Sequence, residues 1–281
     1  MTSVPTAQAA APKPARKTAR VRRSGPTRAF LLAVEIGVPV LLILAWWTLS
    51  ASSTNAFFPP LAEILVRFRE LWLFDHMLSD VLPSLGNLVA GFGIAVAAGL
   101  AAGFLLAGIK PLSWLADPLI HFWRAIPPVA VVPIFVAVLG YGNETRVFSI
   151  VLAAVFPTLI ATVDGLRSVD PLLRDVGRSY RLSGPERIFQ LNLPAASPMI
   201  FSGIQVSLQN AFIVMVASEM LGPSTGIGGL TLLAQQSFAT ADMWAGILLL
   251  GFLGYAANAL FDLAKTRILS WYFDAQKLGA S

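Results

Sequence analysis

The sequence predicts an all-α, polytopic membrane protein with six transmembrane helices. Of its 281 residues, 56% are hydrophobic and only 12% are charged, whereas soluble domains average about 45–50% apolar and about 25% charged residues. Six apolar runs supply the second reason, since most of them approach the ~20 residues that cross the ~30 Å hydrocarbon core of a bilayer. Backbone groups inside a bilayer must be bonded within the chain, so these runs should be helices.

The residue types also argue against several chemistries. Cysteine is absent, which excludes disulfides, thiolate metal sites and thiol nucleophiles. His76 and His121 lie far apart and lack zinc-binding spacing, so no metal site is predicted. The apolar runs contain no Ser-His, HExxH or paired-Asp arrangement, so no catalytic residue is predicted. The net charge of +5 arises from basic residues segregated as in membrane proteins, and no nucleic-acid partner is expected.

A basic tail, residues 1–28, precedes the first apolar run. It carries seven Lys and Arg residues and no acidic residue, and such a segment cannot bury enough apolar surface to fold. We therefore predict a disordered cytoplasmic tail. A cleaved targeting peptide is the competing interpretation. The following run, 30–50, is longer than the ~7–15 residues typical of the apolar region of a signal peptide, which favours a retained helix.

A transmembrane domain is predicted over residues 29–281. One run, between 113 and 139, is interrupted by Pro127-Pro128, and the run that follows it is the shortest. A Gly99-Leu-Ala-Ala-Gly103 motif lies in the second run and allows close helix packing, either within the chain or between two copies. The six predicted spans are 30–50, 85–108, 113–139, 147–163, 195–221 and 243–263.

The distribution of basic residues predicts the orientation of these spans. With six spans, the side that holds both termini carries sixteen of the 20 Lys and Arg residues, and the opposite side carries three. Because cytoplasmic loops are enriched in Lys and Arg, both termini should be cytoplasmic. The loop 164–194 lies on the same side.

This loop, 164–194, is unusually polar for its place between two spans. Asp170-Pro171 is a favourable helix start, and Ser183 with Glu186 forms a capping box that opens a second helix. Leu193-Pro194 is expected to end that second helix. The pattern predicts a helix, a sharp turn and another helix, for which an amphipathic hairpin lying among lipid headgroups is the alternative to a docking element.

The loop resembles the EAA loop of ABC-importer permeases, whose pattern is Glu-Ala-Ala, three residues, Gly, nine residues and Ile-x-Leu-Pro. Aligned on Leu193-Pro194, the pattern places Asp175-Val176-Gly177 at Glu-Ala-Ala and Leu191 at Ile. Arg181 replaces the glycine, so the glycine turn should be lost at that point, although Gly184, three residues later, could supply one. Further matches to the nitrate, sulfonate and taurine branch extend the resemblance over about residues 55–270. They are Arg124-Ala-Ile-Pro-Pro, Leu139-Gly-Tyr-Gly142, Phe156-Pro157, Asp164-Gly-Leu-Arg-Ser-Val-Asp-Pro171, Ala217-Ser-Glu-Met-Leu221 and Gly226-Ile-Gly-Gly.

The resemblance implies a type I ABC importer permease in the bacterial inner membrane. It implies a second permease copy, two cytoplasmic ATPase subunits that bind ATP and Mg²⁺, and an extracytoplasmic binding protein, while this chain itself binds no cofactor. The hairpin would be the coupling helix that docks on the ATPase. The expected docking residues are Arg178, Tyr180, Arg181, Ser183, Gly184, Pro185, Glu186 and Arg187.

Polar residues within the spans are candidates for the translocation pathway. Arg124 would lie at mid-membrane on a straight helix and attract an anion. Alternatively, residues 113–124 follow the cytoplasmic interface and Arg124 extends to water. Gln205, Gln209 and Asn210 would line a pore or bond neighbouring helices. Glu219 is a gate or a packing residue.

The predicted function is import of a small anionic solute of the sulfonate, taurine or nitrate kind. The branch resemblance also leaves a thiamine-precursor pyrimidine, an aromatic acid or bicarbonate as cargo. A stand-alone secondary carrier is the alternative of a different class. It predicts buried charge pairs at mid-span, which are few in this sequence, and it gives no reason for the polar hairpin.

Overall fold

The computed structural model describes residues 28–279, and this range contains no β-strand. The predicted basic tail lies outside the described residues except for Arg28. The α-helices are Arg28–Ser50 (α1), Leu61–Phe68 (α2), Leu82–Gly108 (α3), Lys110–Ala125 (α4), Val132–Leu139 (α5), Asn143–Arg167 (α6), Pro171–Ser179 (α7), Gly184–Glu186 (α8), Leu193–Met220 (α9), Gly226–Gln236 (α10), Thr240–Ile268 (α11) and Ser270–Gly279 (α12). Short π-helical segments cover Arg69–Asp75, Met77–Val81 and Arg187–Asn192, and a 3₁₀ turn covers Pro128–Val131.

The chain divides into two compact units after Thr48. The described part of the first unit is most of α1, an apolar helix with Pro39 in its interior. Near its end, the Thr48 hydroxyl donates to the Leu44 carbonyl at 2.9 Å. Bonding of this kind satisfies a polar side chain within its own helix, as an apolar surrounding requires.

The core of the second unit lies among α3, α6 and α9, where α6 packs along both of the other helices. Small residues permit this approach. Gly91, Ala95, Gly99 and Gly103 recur every four residues along the buried face of α3. A Cβ atom at Gly103 would lie 2.5 Å from the Cβ of Thr162 on α6. The Gly99-to-Gly103 motif therefore packs within the chain, which is the first of the two alternatives for it.

The predicted single span 113–139 is instead two helical pieces that meet at an angle of 89°. The break lies at Ile126 and Pro127, between α4 and the 3₁₀ turn that leads into α5. Two consecutive prolines explain it, because proline has no N–H to continue the helix and forces the preceding residue into an extended conformation. Arg124 thus lies in the last turn of α4 rather than midway along a straight helix.

By length and apolar composition, five helical segments within residues 28–279 are able to cross a membrane, and six if the bent pair counts as one. The chain is therefore a multi-pass membrane protein. These five segments are Ala33–Ser50, Met77–Gly108, Asn143–Arg167, Gly184–Met220 and Thr240–Ile268.

Candidate functional site

The polar loop forms a helical hairpin whose first helix, α7, begins as predicted. The Asp170 carboxylate accepts a hydrogen bond from the Leu172 N–H at 2.8 Å, and Pro171 occupies the first helical position. The Asp170 carboxylate thus bonds one of the backbone N–H groups that have no partner in the first turn of a helix. Pro171 has no N–H, so one further group needs no partner.

The turn after α7 has the shape that a glycine would give, although Arg181 stands there. Arg181 has a φ of 54°, in the left-handed region. Its N–H donates to the Arg178 carbonyl at 2.9 Å, and the Leu182 N–H donates to the Gly177 carbonyl at 3.0 Å. These two bonds form a Schellman motif. The expected loss of the turn is therefore wrong, because its paired hydrogen bonds hold an arginine in a conformation that costs about 1–2 kcal/mol.

The second helix of the hairpin also begins as predicted but does not end at Leu193-Pro194. Ser183 and Glu186 form the capping box, with the Ser183 N–H donating to the Glu186 carboxylate at 2.8 Å. The helix then continues through the π-helical segment Arg187–Asn192 into α9. Pro194 has no N–H to donate to the preceding turn. The π-helical turn before it makes room for the proline ring, so the chain passes into the fifth span without a break.

The two halves of the hairpin pack where α7 carries a glycine. A Cβ at Gly177 would lie 3.2 Å from a Leu191 methyl group. Beyond this contact the turn projects outward, and the Tyr180 side chain is 78% exposed. The other exposed members of the expected docking set are Arg178, Arg181, Ser183, Gly184, Pro185 and Glu186, with Arg187 partly buried.

A second candidate site is a cavity of about 380 Å³ beside the break between α4 and α5. Arg124 and Asn210, two of the expected pathway residues, both line it, together with Asp164 from the last turns of α6. Its remaining lining is largely apolar and includes Trp123 and Phe156. The structure thus brings together a guanidinium from α4 and a side-chain amide from α9 that are 86 positions apart in the sequence.

Gln205 and Gln209 lie elsewhere. The Gln205 amide nitrogen donates to Asn258 at 3.0 Å and Asp262 at 3.2 Å, and Lys265 donates to the Gln205 carbonyl oxygen at 3.1 Å. This network ties α9 to α11, which is the helix-bonding alternative for Gln205. Gln209 lines a separate cavity of about 290 Å³ beside α11.

Glu219 is completely buried and contacts the start of α10. Its carboxylate accepts hydrogen bonds from the Ser84 hydroxyl and from the Gly228 N–H, the latter at 2.9 Å. Gly226 has a φ of 84°, and a Cβ there would lie 2.5 Å from the Glu219 carboxyl carbon. The Gly226-Ile-Gly-Gly loop therefore makes room for a carboxylate at a helix N-terminus, where negative charge is favoured. This geometry favours the packing alternative for Glu219.

A second carboxylate bonds the same helix start. Asp80 accepts from the Gly226 N–H at 2.7 Å and from His76 at 2.8 Å. Among residues 28–279, no group of three or more His, Asp or Glu side chains is arranged to hold a metal ion.

These features, a helical hairpin followed directly by a span and a break at paired prolines, are accompanied by a family match. The model for the inner membrane component of binding-protein-dependent transport systems matches residues 95–271. The chain belongs to this permease family.

Curated relatives cover nearly the whole permease. A putative aliphatic sulfonates transport permease protein, SsuC, from Bacillus subtilis is 28% identical over 94% of this chain and 97% of its own length. The nitrate import permease protein NrtB from Synechocystis is 28% identical over 89% of this chain and 95% of its own.

The solved inward-facing MetNI methionine ABC transporter shares the fold of this permease. It aligns with a TM-score of 0.57 at 17% identity, over 72% of this chain and 97% of that chain. The fold is therefore that of a type I ABC importer permease.

A pair of substitutions at Arg181 tests the hairpin turn. We expect Arg181→Gly to keep the turn and Arg181→Val to open it, because glycine adopts the left-handed conformation freely and a β-branched residue resists it. Both variants lose the same guanidinium, so a difference between them reports on the backbone. The measurement is amide hydrogen exchange of the permease at Leu182, where we expect at least tenfold faster exchange with valine. Equal exchange in both variants would contradict the Schellman assignment.

Proposed function

We propose that this permease is the membrane subunit of an ATP-driven importer for a small anionic solute of the sulfonate or nitrate kind. The observation that carries the proposal is Arg124 on the 380 Å³ cavity. Its side chain is exposed, and no ion pair joins it to Asp164 or to any other described acid. A guanidinium that keeps its charge available beside a largely apolar cavity suits an anion with planar or tetrahedral oxygens.

The hairpin supplies the proposed link to ATP. Its exposed turn presents a phenol, charged groups and a proline, which form a surface that a partner protein can bind. We place two ATPase subunits on two such hairpins, with a second permease copy completing the pathway and a binding protein delivering the solute. ATP and Mg²⁺ belong to the ATPase, and this chain performs no catalysis. Both termini lie on the cytoplasmic side of a bacterial inner membrane.

Anion transport is also named for the two curated relatives. SsuC is described for aliphatic sulfonates and NrtB for nitrate. A neutral pyrimidine precursor finds less support in this cavity, because it offers no charged oxygens to a guanidinium. Aromatic acids and bicarbonate are also anions, so sulfonate and nitrate are preferred to them on the names of the curated relatives alone.

Co-purification followed by reconstitution tests the importer proposal. A tag at the C-terminus should retain a stoichiometric ATPase from native membranes, and proteoliposomes of that complex should take up a sulfonate or nitrate only with the binding protein and ATP. A chain that purifies alone in several mild detergents and transports without ATP would instead establish a secondary carrier.

Arg124 gives a sharper prediction for the cavity. We expect Arg124→Leu to lower anion uptake at least tenfold, because a hydrogen bond to a charged group contributes about 1.5–3 kcal/mol, while Arg124→Lys retains part of the uptake. The measurement is initial uptake rate against solute concentration in proteoliposomes. Arg267→Leu, which removes an equal charge from an exposed position near the end of α11, serves as the control. Unchanged uptake in Arg124→Leu would assign Arg124 to the membrane interface.

A further inference from the structure

A basic cavity of about 320 Å³ lies between the hairpin and the end of α3. Three arginines line it, Arg174 and Arg178 from α7 and Arg187 from the second half of the hairpin. Its other lining residues include Gly108 and Asn192, and no acidic side chain lines it. The space far exceeds the ~10–15 Å³ that one water molecule requires.

Arg174 is held in place by hydrogen bonds and still has one N–H group without an acceptor. An Nη of Arg174 donates to the carbonyls of Leu166 and Arg167, at 3.2 and 3.3 Å, at the end of α6. Its Nε is buried and has no hydrogen-bond partner in the described chain. A buried donor without a partner costs about 1–3 kcal/mol, so this nitrogen calls for an acceptor.

Asn192, another residue that lines the cavity, shows the same deficiency. Its Oδ1 is buried and lacks a partner among residues 28–279. The two ends of a side-chain amide are assigned from the hydrogen-bond network. If the amide is turned by 180°, its NH₂ group is a second buried donor without a partner beside the cavity. A ligand with several acceptor oxygens would supply one to each side chain once both turn toward the cavity.

The charge of the cavity indicates that this ligand is an anion. Asp175 pairs with Arg178 at 3.1 Å, but the two side chains are 66% and 70% exposed, so water screens that pair strongly. Arg174 and Arg187 have no ion-pair partner in the described structure. Guanidinium groups are forked donors that match the oxygens of a phosphate group in particular.

The position of the cavity favours a lipid as the source of that phosphate. Gly108 ends the span Met77–Gly108, and Leu166 lies in the last turn of the span Asn143–Arg167. Two spans thus end at the cavity, which places it at headgroup depth. Leu105 and Phe189, whose side chains are exposed, directly follow the lining residues Phe104 and Ile188 in the sequence. The orientation argued above puts this end in the cytoplasmic leaflet, where anionic lipids attract basic residues.

We propose that Arg174, Arg178 and Arg187 bind the phosphate of an anionic lipid headgroup and thereby hold the hairpin at the membrane surface. The lipid would complete the hydrogen bonding of Arg174 and Asn192 and neutralise a cluster of like charges. The position of the proposed docking turn would then depend on the lipid composition of the membrane.

Lipid titration of the purified full-length chain tests this proposal. The delipidated protein is mixed with phosphatidylglycerol or phosphatidylcholine, and bound lipid is counted by native mass spectrometry. We expect phosphatidylglycerol to bind at least tenfold more tightly, and Arg187→Gln and Arg178→Gln each to reduce this preference. Arg181→Gln, which removes an equal charge from the exposed turn, should leave it intact. Arg174 is not substituted, because it also bonds the end of α6.

Four outcomes would overturn the proposal. The two lipids bind equally, or Arg181→Gln weakens binding as much as Arg187→Gln does, which would indicate only general attraction to charge. In the third, inorganic phosphate displaces phosphatidylglycerol at micromolar concentration, which would assign the site to a soluble phosphate. In the fourth, Arg187→Gln leaves lipid binding unaltered and, in a separate binding assay with the purified ATPase, lowers only ATPase affinity, so the arginines contact the partner protein instead. The titration contains neither ATPase nor solute, so its failure leaves the proposed transport function standing.

Discussion

Alanine in place of Glu219 is expected to prevent stable folding of the permease, whereas glutamine should preserve it. The carboxylate is fully buried and accepts from Gly228 and Ser84. Alanine leaves both donors unpaired, at about 1–3 kcal/mol each, and opens a cavity in the packing. Glutamine keeps both contacts, because its oxygen accepts from Gly228 and its NH₂ donates to the Ser84 oxygen.

The measurement is the yield of monodisperse protein and its melting temperature in detergent. Glu144→Ala is the matched control, since Glu144 is an exposed glutamate in the first turn of α6. We expect the control to melt within a few degrees of the parent protein. If Glu219→Ala melts like Glu144→Ala, the carboxylate does not anchor α10, and the gating alternative for Glu219 regains support.

The second large effect is expected from a glycine-to-alanine pair on α3. At Gly103 a new Cβ would lie 2.5 Å from the Thr162 Cβ and 3.0 Å from the Leu159 carbonyl oxygen, whereas at Gly93 it would meet nothing within 4 Å. We expect Gly103→Ala to destabilise the permease by about 1–3 kcal/mol through overpacking. Gly93→Ala should be neutral or stabilising by up to ~1 kcal/mol, because alanine favours helix.

The two variants share one helix and one chemical change, so the difference in their unfolding free energies isolates the contact with α6. Unfolding in a denaturing detergent, followed by circular dichroism, measures this difference. Equal stabilities would show that α3 and α6 can separate by a few tenths of an ångström without loss, contrary to the close packing described here.

Local features of the hairpin could be predicted, because their partners lie within a few residues. The Asp170 cap and the Ser183–Glu186 capping box are visible in the sequence for this reason. The conformation of Arg181 could not be predicted from residue type, since arginine rarely adopts positive φ and only the paired bonds of the Schellman motif hold it there. A break at Pro127-Pro128 was predictable, but its 89° angle depends on the packing of α5 against α6.

Contacts between residues far apart in the sequence explain most of the site features that could not be predicted. Ser84 and Glu219 are 135 positions apart, and no local pattern joins them. Arg124 and Asn210, two of the five expected pathway residues, share one cavity, and Gln205, Gln209 and Glu219 do not line it, because residues on one helix point in different directions according to their spacing. The partners of Gln205 were missed, although Asn258, Asp262 and Lys265 follow a helical spacing of four and three residues that marks one polar face of α11.

The unbroken helical segment Gly184–Met220 has a mechanical consequence. Its 37 residues correspond to a rod about 55 Å long, which exceeds the ~30 Å thickness of the hydrocarbon core. One end of this rod is the exposed turn of the hairpin, and the other carries Glu219 against α10. A tilt of about 10° would displace one end by roughly 10 Å relative to the other. If the element moves as one rod, a displacement of the hairpin turn would be carried to the end that holds Glu219, whereas bending at the π-helical turn or at Pro198 would absorb it.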